Sequence, residues 1–247
     1  MLSNASTVIK RTIAVPGDVI VVDKDTDVEG SNLYKIDENR YVVTSISIQD
    51  LEQEGEKKKI RVIGLKGRYI PKEGDTVIGI VSDVSVTYWV VDIRSPYPAI
   101  LNASDYLGRP FNPATENIRK FLEIGDVIIA KIAQFDRTRP PLLSVQDKGY
   151  GKVTEGLLIE IEPSKVGRVI GKKRSMLNML IEETKCDFVV GANGRILLKC
   201  PNSELEYIAI LAIKKIEEEA HTLGLTERIR EFILSEKVKR GLIKYEA

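Results

Sequence analysis

Short apolar runs rich in Val and Ile, typical of β-strands, dominate the first two thirds of the chain. In the N-terminal part these runs lie at residues 13–15, 19–22, 41–48 and 60–63. The turn signal Pro16-Gly17-Asp18 joins the first two, and the charged stretch 50–59 predicts a hairpin tip or loop. Residues 1–66 are therefore predicted to form a small all-β domain. Because so short a domain has little core of its own, we expect it to pack against a neighbour or a partner subunit.

A second group of strand-like runs begins near Arg68. Its members lie at residues 74–81, 87–93, 99–101, 127–132 and 142–145. Between the third and the fourth run lies a loop that contains Gly108, Pro110 and Pro113. Five short strands with one interruption after the third predict a five-stranded Greek-key barrel of the OB-fold kind over residues 67–147.

From about residue 148 the apolar pattern becomes a mixture of strand and helix periods. Ser164 and Ser203 are expected to cap the helices that follow them, and Asn193-Gly194 between two apolar runs predicts a hairpin turn. The order β-α-α-β-β-α, with an extra C-terminal helix, is predicted for residues 148–247. The expected fold class is multidomain, β-rich plus α+β. The predicted elements are a strand at 157–161, helices at 164–170 and 175–184, strands at 188–190 and 196–198, and helices at 203–216 and 226–239.

Composition and charge narrow the class of protein. The chain has 247 residues, a formal net charge of +1 and no apolar run near the ~20 residues that span a bilayer. Its first residues lack the apolar core of a secretory signal, so the expected compartment is the cytoplasm, without a membrane partner. One histidine, His221, and two cysteines, Cys186 and Cys200, are too few for a Cys/His zinc site, so no metal or other cofactor is expected.

One segment between two predicted helices resembles the signature of KH domains, in which Ile-Gly leads into a GxxG loop. It reads Val166-Gly167-Arg168-Val169-Ile170-Gly171-Lys172-Lys173. Glycine suits such a loop because the backbone must approach a phosphodiester closely, with N–H groups and the next helix N-terminus facing the phosphates. The second glycine of the loop is replaced here by Arg174, which adds a positive charge. The resemblance implies a KH domain of type I.

Residues 68–147 resemble the OB-fold RNA-binding repeat of the largest ribosomal protein of the small subunit. The motifs that carry this resemblance are Gly74-Asp75, Gly79-Ile80-Val81, Val90-Val91-Asp92-Ile93, Gly125-Asp126-Val127 and Leu143-Ser144. The N-terminal unit contributes Val15-Pro16-Gly17-Asp18, and the KH-like unit contributes the turn Gly191-Ala192-Asn193-Gly194. In this combination and order, the modules resemble the RNA-binding cap subunits of the archaeal exosome over nearly the whole chain.

This resemblance implies that three such subunits sit on a hexameric ring of RNase PH-like subunits, which degrades RNA from the 3′ end with phosphate. In that family the N-terminal domain docks on the ring. The cap captures single-stranded RNA and guides it to the central pore without contributing a catalytic residue. The chain is therefore expected to be a non-catalytic component whose partners are RNA, the ring and the other cap subunits. Gly191, Asn193 and Gly194 are expected to form a structural turn.

Positive side chains in predicted loops are the candidate RNA contacts, because single-stranded RNA is held by basic grooves together with stacking surfaces. No acidic residue interrupts residues 163–181. In the KH-like domain the candidates are Lys165, Arg168, Gly171, Lys172, Lys173 and Arg174. In the barrel they are Arg94, Tyr97, Arg109, Arg119, Lys120, Arg137 and Arg139.

Two pairs of residues leave a choice open. Tyr88 and Trp89 are adjacent in a strand, so one is expected to pack in the core and the other to face an interface or RNA. Cys186 and Cys200 lie near the two ends of the predicted hairpin. They could form a disulfide if the register brings their Cα atoms within about 7 Å, although reduced cysteines are the usual state in a cytosol.

Other functions remain open at this level. A nuclease or phosphorylase needs paired carboxylates for a metal, or a nucleophile with a base, and the acids here are scattered without a convincing set of that kind. An RNA-binding protein of translation or of the ribosome would use the same two modules. A scaffold that barely touches RNA is the third alternative, which the substitution of Arg174 for glycine favours.

Overall fold

The structure is a computed structural model that describes residues 7–23, 26–30, 33–54, 57–65, 67–220, 222 and 224–242. The chain divides into two compact units, Met1–Gly67 and Arg68–Ala247. His221 lies outside the described residues. Within the described part of the chain, no helix has the length and the apolar character needed to cross a membrane.

The N-terminal unit is built from strands in its described residues, as the sequence predicts. The strands are β1 (Thr7–Ala14), β2 (Val19–Val21), β3 (Thr26–Gly30), β4 (Leu33–Lys35), β5 (Arg40–Val43), β6 (Ser47–Glu54) and β7 (Lys57–Gly64). They form one sheet in the order β1-β6-β7-β3 and a second in the order β2-β5-β4. A small core is made by Ala14, Ile20, Val22, Val43, Ile60 and Val62.

Of the two alternatives predicted for residues 50–59, the hairpin is present and the loop is wrong, because strands occupy most of that stretch. β6 continues to Glu54 and β7 begins at Lys57, so the two form a long antiparallel hairpin. The buried Asp50 lies in register between Arg11 and Arg61. Nε and Nη2 of Arg11 each donate to one carboxylate oxygen of Asp50, both at 2.7 Å. Opposite charges that face each other across a ladder stabilise strands, so a charged stretch alone does not indicate a loop.

The second unit begins with the predicted five-stranded barrel. The elements are β8 (Thr76–Val84), β9 (Tyr88–Asp92), β10 (Ala99–Asn102), α1 (Ala103–Leu107), β11 (Val127–Gln134), β12 (Leu142–Ser144) and β13 (Gly151–Lys152). The strand order is β12-β10-β9-β8-β11, and β12 also pairs with β11, which closes the barrel. The short β13 pairs with the first half of β11. A 3-10 turn, Ile118–Lys120, precedes β11.

Trp89 is the member of the aromatic pair that packs in the barrel core. Its side chain is fully buried, and its Nε1 donates a hydrogen bond of 3.0 Å to the carbonyl of Leu122. Its ring packs edge-on against Tyr106, with centroids 5.2 Å apart. Because successive side chains of a strand point to opposite faces, Tyr88 lies on the outer face, where it is partly exposed.

The second domain of this unit has the predicted order βααββα followed by one more helix. The elements are β14 (Leu157–Glu160), α2 (Val166–Ile170), α3 (Ser175–Thr184), β15 (Asp187–Val190), β16 (Arg195–Lys199), α4 (Ser203–Glu218) and α5 (Leu225–Lys239). The three strands form an antiparallel sheet in the order β14-β16-β15. Helices α3, α4 and α5 bury their apolar faces in one core with Ile196 and Leu198 of the sheet.

Both predicted helix caps in this domain are wrong. The residue that caps α4 is Asn202, whose side-chain oxygen accepts a hydrogen bond of 2.8 Å from the amide of Leu205. Ser203 is already the first helical residue. Ser164 lies inside a 3-10 turn, Pro163–Lys165, that runs directly into α2. Asn and Ser both cap helices well, so the sequence alone did not separate Asn202 from its neighbour.

A disulfide joins Cys186 to Cys200 in the structure, with the two Cα atoms 4.2 Å apart. The pairing of β15 with β16 places Asp187 opposite Lys199, so the two cysteines come next to each other just beyond the ends of these strands. The bond therefore closes the open end of the hairpin whose other end is the turn at residues 191–194. Within the described residues no cysteine is free.

The turn at residues 191–194 packs against the barrel, and its Asn193 is completely buried there. Nδ2 of Asn193 donates to the carbonyls of Ile78 and Ile93 at 2.8 and 3.0 Å, and Oδ1 accepts from the amide of Ile78 at 3.3 Å. The amide of Ala192 donates to the carbonyl of Thr76 at 2.8 Å. One hairpin turn of the KH-like domain thus satisfies backbone groups of β8 and of Ile93, the residue just after β9.

The two glycines of this turn fit because a side chain would collide with its neighbours. A Cβ on Gly194, which has a φ of +80°, would lie 2.4 Å from the carbonyl oxygen of Ile161. A Cβ on Gly191 would lie 2.5 Å from Oδ1 of Asn193. Close approach of the backbone is therefore the physical reason for glycine at both positions.

Arg195 adds a charged contact to the same boundary. Its side chain is 4% exposed, and its guanidinium donates to Oδ2 of Asp92 at 2.5 Å, to the carbonyl of Asp92 at 2.6 Å and to Oε1 of Glu160 at 2.9 Å. An apolar cluster of Ile78, Ile129 and Leu197 packs beside it. Buried polar groups with good partners and apolar packing together join the barrel and the KH-like domain; we call this region the junction.

We expect the substitution Asn193→Ala to lower the free energy of unfolding of the second unit by about 2–4 kcal/mol, because it leaves buried backbone groups of β8 unsatisfied. Urea denaturation followed by the fluorescence of the single tryptophan, Trp89, reports this unit directly. The control is Asn178→Ala, at an exposed position of α3, which should shift the transition by less than about 0.5 kcal/mol. Equal effects of the two substitutions would contradict the role given to Asn193.

Candidate nucleic-acid interface

The loop between α2 and α3 begins with a glycine that no other residue can replace without strain. Gly171 has φ and ψ of 73° and 169°. A Cβ there would lie 2.7 Å from the amide nitrogen of Met176 and 2.9 Å from its Cβ. Lys173 and Arg174 follow with φ of 52° and 64°, in the left-handed region. The backbone therefore makes the sharp turn that the sequence motif indicates, although its last position holds an arginine.

This turn brings the positive side chains of the motif together. Lys172, Lys173 and Arg174 are exposed, and none of them has an ion pair with a described residue. Lys165 and Arg168 are partly buried on the turn and helix that precede the loop. We call this group, Lys165, Arg168, Lys172, Lys173 and Arg174, the KH cluster.

A cavity of about 280 Å³ opens beside the KH cluster. Arg168, Gly171 and Lys172 line one side of it, and Ser175 and Met176 lie at the start of α3. Gly224, which precedes α5, and the first residues of α5, Leu225 to Glu227, close the other side. The C-terminal helix therefore forms one wall of the groove next to the loop.

Two loops at one end of the barrel meet through aromatic rings. Tyr97, from the loop between β9 and β10, packs edge-on against Phe135, at the end of β11, with ring centroids 5.0 Å apart at 64°. Arg137 and Arg139 lie in the loop between β11 and β12, and both are exposed without an ion pair to a described residue. Three of the predicted residues, Tyr97, Arg137 and Arg139, are thus brought together; we call them, with Phe135, the barrel loop cluster.

Next to this cluster lies a cavity of about 250 Å³ with an apolar floor. Ile100 and Leu142, which are paired in register on β10 and β12, form the floor, while Phe135, Arg139 and Pro140 form the rim. A base can stack on such a surface, because stacking on apolar and aromatic side chains tolerates every base.

The remaining barrel candidates have different surroundings. Arg109 forms a bidentate ion pair with Glu116, in which Nη1 and Nη2 each donate to one carboxylate oxygen at 2.9 Å. The hydrogen bond to this carboxylate raises the pKa of Arg109. Arg119 and Lys120 are exposed on the 3-10 turn before β11, without an ion pair to a described residue. Their contact with RNA stays a prediction.

Arg94 lies in the junction. Its Nη1 donates to the carbonyls of Ile161 and Gly194 at 2.8 and 3.3 Å, and its Nε lies 3.7 Å from Glu160. These contacts tie the guanidinium to the KH-like domain, and an RNA contact by Arg94 stays a prediction. Sequence reasoning missed Arg195, the other arginine of the junction, because its partners are more than thirty residues away along the chain.

Within the described residues, no group of three His, Cys, Asp or Glu side chains is placed to hold a metal ion. The groups that the structure does gather are cations, aromatic rings and glycine turns. Such groups bind phosphates and bases.

Comparison with known families agrees with both domains of the second unit. A family model described as the S1 domain of exosome complex component RRP40 matches residues 69–156, and a KH-domain model matches residues 156–204. The fold therefore defines an S1–KH protein with an additional N-terminal β-domain.

Similarity over the whole chain narrows this class. The chain is 67% identical over 240 residues to exosome complex component Rrp4 of Ignisphaera aggregans. The matched region covers 96% of this chain and 95% of that protein. It is 47% identical to the protein of the same name from Aeropyrum pernix, over 91% of this chain and 94% of that one. The chain belongs to the Rrp4 family of exosome components.

A solved structure of a chain assigned to the exosome as an RNA-binding protein is also similar. It is 52% identical in sequence, with a TM-score of 0.67, and the match covers 70% of this chain and 99% of that one.

Two glycines near the KH loop, Gly171 and Gly167, allow a test of the loop geometry with a matched control. Gly171→Ala should lower the stability of the second unit by at least about 2 kcal/mol, because it forces a side chain into a backbone conformation reserved for glycine and against Met176. Gly167→Ala, one turn earlier in α2 with open space around it, should be neutral or stabilise by up to about 1 kcal/mol. Thermal unfolding followed by far-ultraviolet circular dichroism measures both. Similar stability of the two variants would contradict the geometry described for the loop.

Proposed function

We propose that this chain is a non-catalytic, RNA-binding cap component of the exosome. It captures single-stranded RNA and guides it to the pore of a ring of RNase PH-type subunits, where the RNA is degraded from 3′ to 5′ by phosphorolysis. The observation that carries this proposal is the pairing of Rrp4-family membership with two clusters of cations, one on each nucleic-acid module.

The charge and exposure of these clusters support the RNA-binding part. Five of their side chains are exposed and free of ion pairs to described residues: Arg137, Arg139, Lys172, Lys173 and Arg174. Such cations displace counterions from a phosphate backbone, and this is the main source of affinity for nucleic acid without sequence preference. Because the junction joins the two domains, both clusters belong to one structural unit.

The N-terminal unit supports the part of the proposal that concerns assembly. Val19, Val42 and Tyr34 are cross-strand neighbours on three strands of its smaller sheet. Val19 and Tyr34 are 53% and 64% exposed, so an apolar row lies open to solvent. A second such row is formed by Ile13, Ile48 and Ile63, of which Ile13 is 71% exposed.

Exposed apolar rows of this kind mark surfaces that bind another protein. We propose that the RNase PH-type ring covers them, with three copies of the chain forming the cap. Three tethered copies would multiply weak RNA contacts through their effective concentration, while each contact still releases RNA readily. A cytoplasmic location, as expected from the sequence, fits this role.

The double variant Arg137→Ala/Arg139→Ala should weaken binding of single-stranded RNA by about tenfold at moderate salt and make the salt dependence shallower by about one to one and a half units of slope. The reason is the loss of two phosphate contacts. Fluorescence anisotropy with a labelled oligonucleotide, repeated over a series of salt concentrations, measures both quantities.

The matched control for this experiment is Lys148→Ala/Lys214→Ala, which removes two exposed cations that lie outside both clusters and have no ion pair within the described part of the chain. It should leave affinity and slope nearly unchanged. If both double variants behaved alike, binding would follow overall charge and the proposed site would be wrong.

The substitution Tyr34→Glu should reduce association with purified RNase PH-like ring subunits by about tenfold or more, because it places a charge in the middle of an apolar contact. Co-elution in gel filtration and a binding titration measure this effect. Thr44→Glu, at an exposed position of the same unit outside both rows, should bind the ring normally. Unimpaired assembly of the Tyr34 variant would rule out this row as the docking surface.

A further inference from the structure

An acidic residue, Asp136, lies near the start of the basic loop between β11 and β12. Oδ1 of Asp136 accepts three hydrogen bonds, from the amide of Thr138 at 2.9 Å, from the hydroxyl of Thr138 at 2.8 Å and from the amide of Arg139 at 3.2 Å. The side chain thereby replaces the backbone carbonyl that would otherwise organise a tight turn. Asp136 is the residue that fixes the path of the chain through Arg137 to Arg139.

This loop contains a backbone conformation that is unfavourable for a residue other than glycine. Arg137 has a φ of 68°, a left-handed conformation that costs a non-glycine residue of order 1–3 kcal/mol unless its surroundings hold it. On one side the loop is anchored by the contact of Phe135 with Tyr97, and on the other by Pro140 and Pro141. Between these anchors the described contacts that hold the turn are those of Asp136.

From its charge alone, Asp136 would be expected to weaken RNA binding, because it is a negative group among cations. Its carboxylate is adjacent in sequence to Arg137 and close enough to Arg139 to interact with its charge. The hydrogen bonds from Thr138 keep the pKa of Asp136 below its ordinary value, so the carboxylate is ionised at neutral pH. If charge alone governed RNA binding, removing this negative group would strengthen it.

We infer that Asp136 is a positioning residue for RNA: its carboxylate holds Arg137 and Arg139, together with the rim of the neighbouring cavity, in the conformation that receives a single strand. This inference rests on the proposed function and adds to it a residue that acts through geometry against its own charge. A loop that is already ordered before binding avoids the entropy cost of fixing its backbone and arginine side chains in the complex. RNA binding therefore depends on an acid.

Two substitutions at this position separate geometry from charge. Asp136→Ala removes both the hydrogen-bond acceptor and the negative charge. Asp136→Asn removes the charge but keeps an oxygen that can accept the bonds from Thr138 and Arg139, as asparagine does in turns of this type. Glu231→Ala, an exposed position on α5 with no ion pair to a described residue, controls for the loss of one negative charge elsewhere.

The experiment measures the affinity of the full chain for a fluorescein-labelled single-stranded RNA of mixed sequence over a salt series, with thermal unfolding of each variant as the check on folding. We expect Asp136→Ala to bind roughly five- to tenfold more weakly with an unchanged salt slope, since the same phosphates are contacted after an added ordering cost. Asp136→Asn should bind as well as the unmodified chain or up to about threefold more tightly. Glu231→Ala should not change the affinity.

The inference is overturned if Asp136→Ala binds RNA as tightly as the unmodified chain or more tightly, or if Asp136→Asn loses as much affinity as Asp136→Ala. The Arg137→Ala/Arg139→Ala variant, measured in the same series, distinguishes this failure from a failure of the proposed function. If that double variant is weakened while Asp136→Ala is not, only the role of Asp136 is wrong. If the double variant binds normally, the loop is not an RNA contact, and both the role of Asp136 and the part of the proposed function assigned to this loop are wrong.

Discussion

Every polar group buried between the barrel and the KH domain needs a hydrogen-bond partner there. The association of the two domains in the second unit depends on this constraint. Asn193 and Arg195 meet it by bonding to backbone carbonyls of the barrel and, for Arg195, to the carboxylate of Asp92 rather than to water. Moving the domains apart would exchange these hydrogen bonds for bonds to water, at a net cost of about 0.5–1.5 kcal/mol each, and would expose the apolar cluster of Ile78, Ile129 and Leu197. Two modules that are often joined by flexible linkers are here parts of one body.

The contacts at the junction also affect the basic loops, because they limit how far the two domains can move relative to each other. A single strand of RNA is flexible, and binding it at two places gains most when the two places keep a constant separation. The KH cluster and the barrel loop cluster lie on separate domains, yet the junction between those domains contains Arg94, Asn193 and Arg195 rather than a linker. Arg94, Asn193 and Arg195 thus make contacts within the protein, whereas the exposed cations of the two clusters are available to a ligand.

Much of the second unit could be predicted from local sequence patterns. The βααββα order, the five-stranded barrel and the turn at residues 191–194 follow from strand and helix periods and from the Asn-Gly signal, all of which act over a few residues. The GxxG-like loop is found in the same way, since Gly171 is required by a collision with Met176 only five positions later.

What sequence reasoning missed is decided by contacts that are distant along the chain. The strands at residues 50–59 are stabilised by charges that meet only after pairing, such as Arg11 with Asp50. The strand register decides whether Cys186 reaches Cys200, and the interior of the barrel decides which of Trp89 and Tyr88 is buried. Arg94 looked like an exposed loop cation because its partners belong to another domain.

The most direct test of this account is native-state hydrogen exchange of the full chain, with attention to the amide of Ala192, which donates across the junction to Thr76. The account predicts that this amide exchanges only by global unfolding of the second unit, with the same free energy as the most protected amides of the barrel and of the KH domain. Exchange of Ala192 at a much lower free energy, together with two separate levels of protection for the two domains, would contradict it.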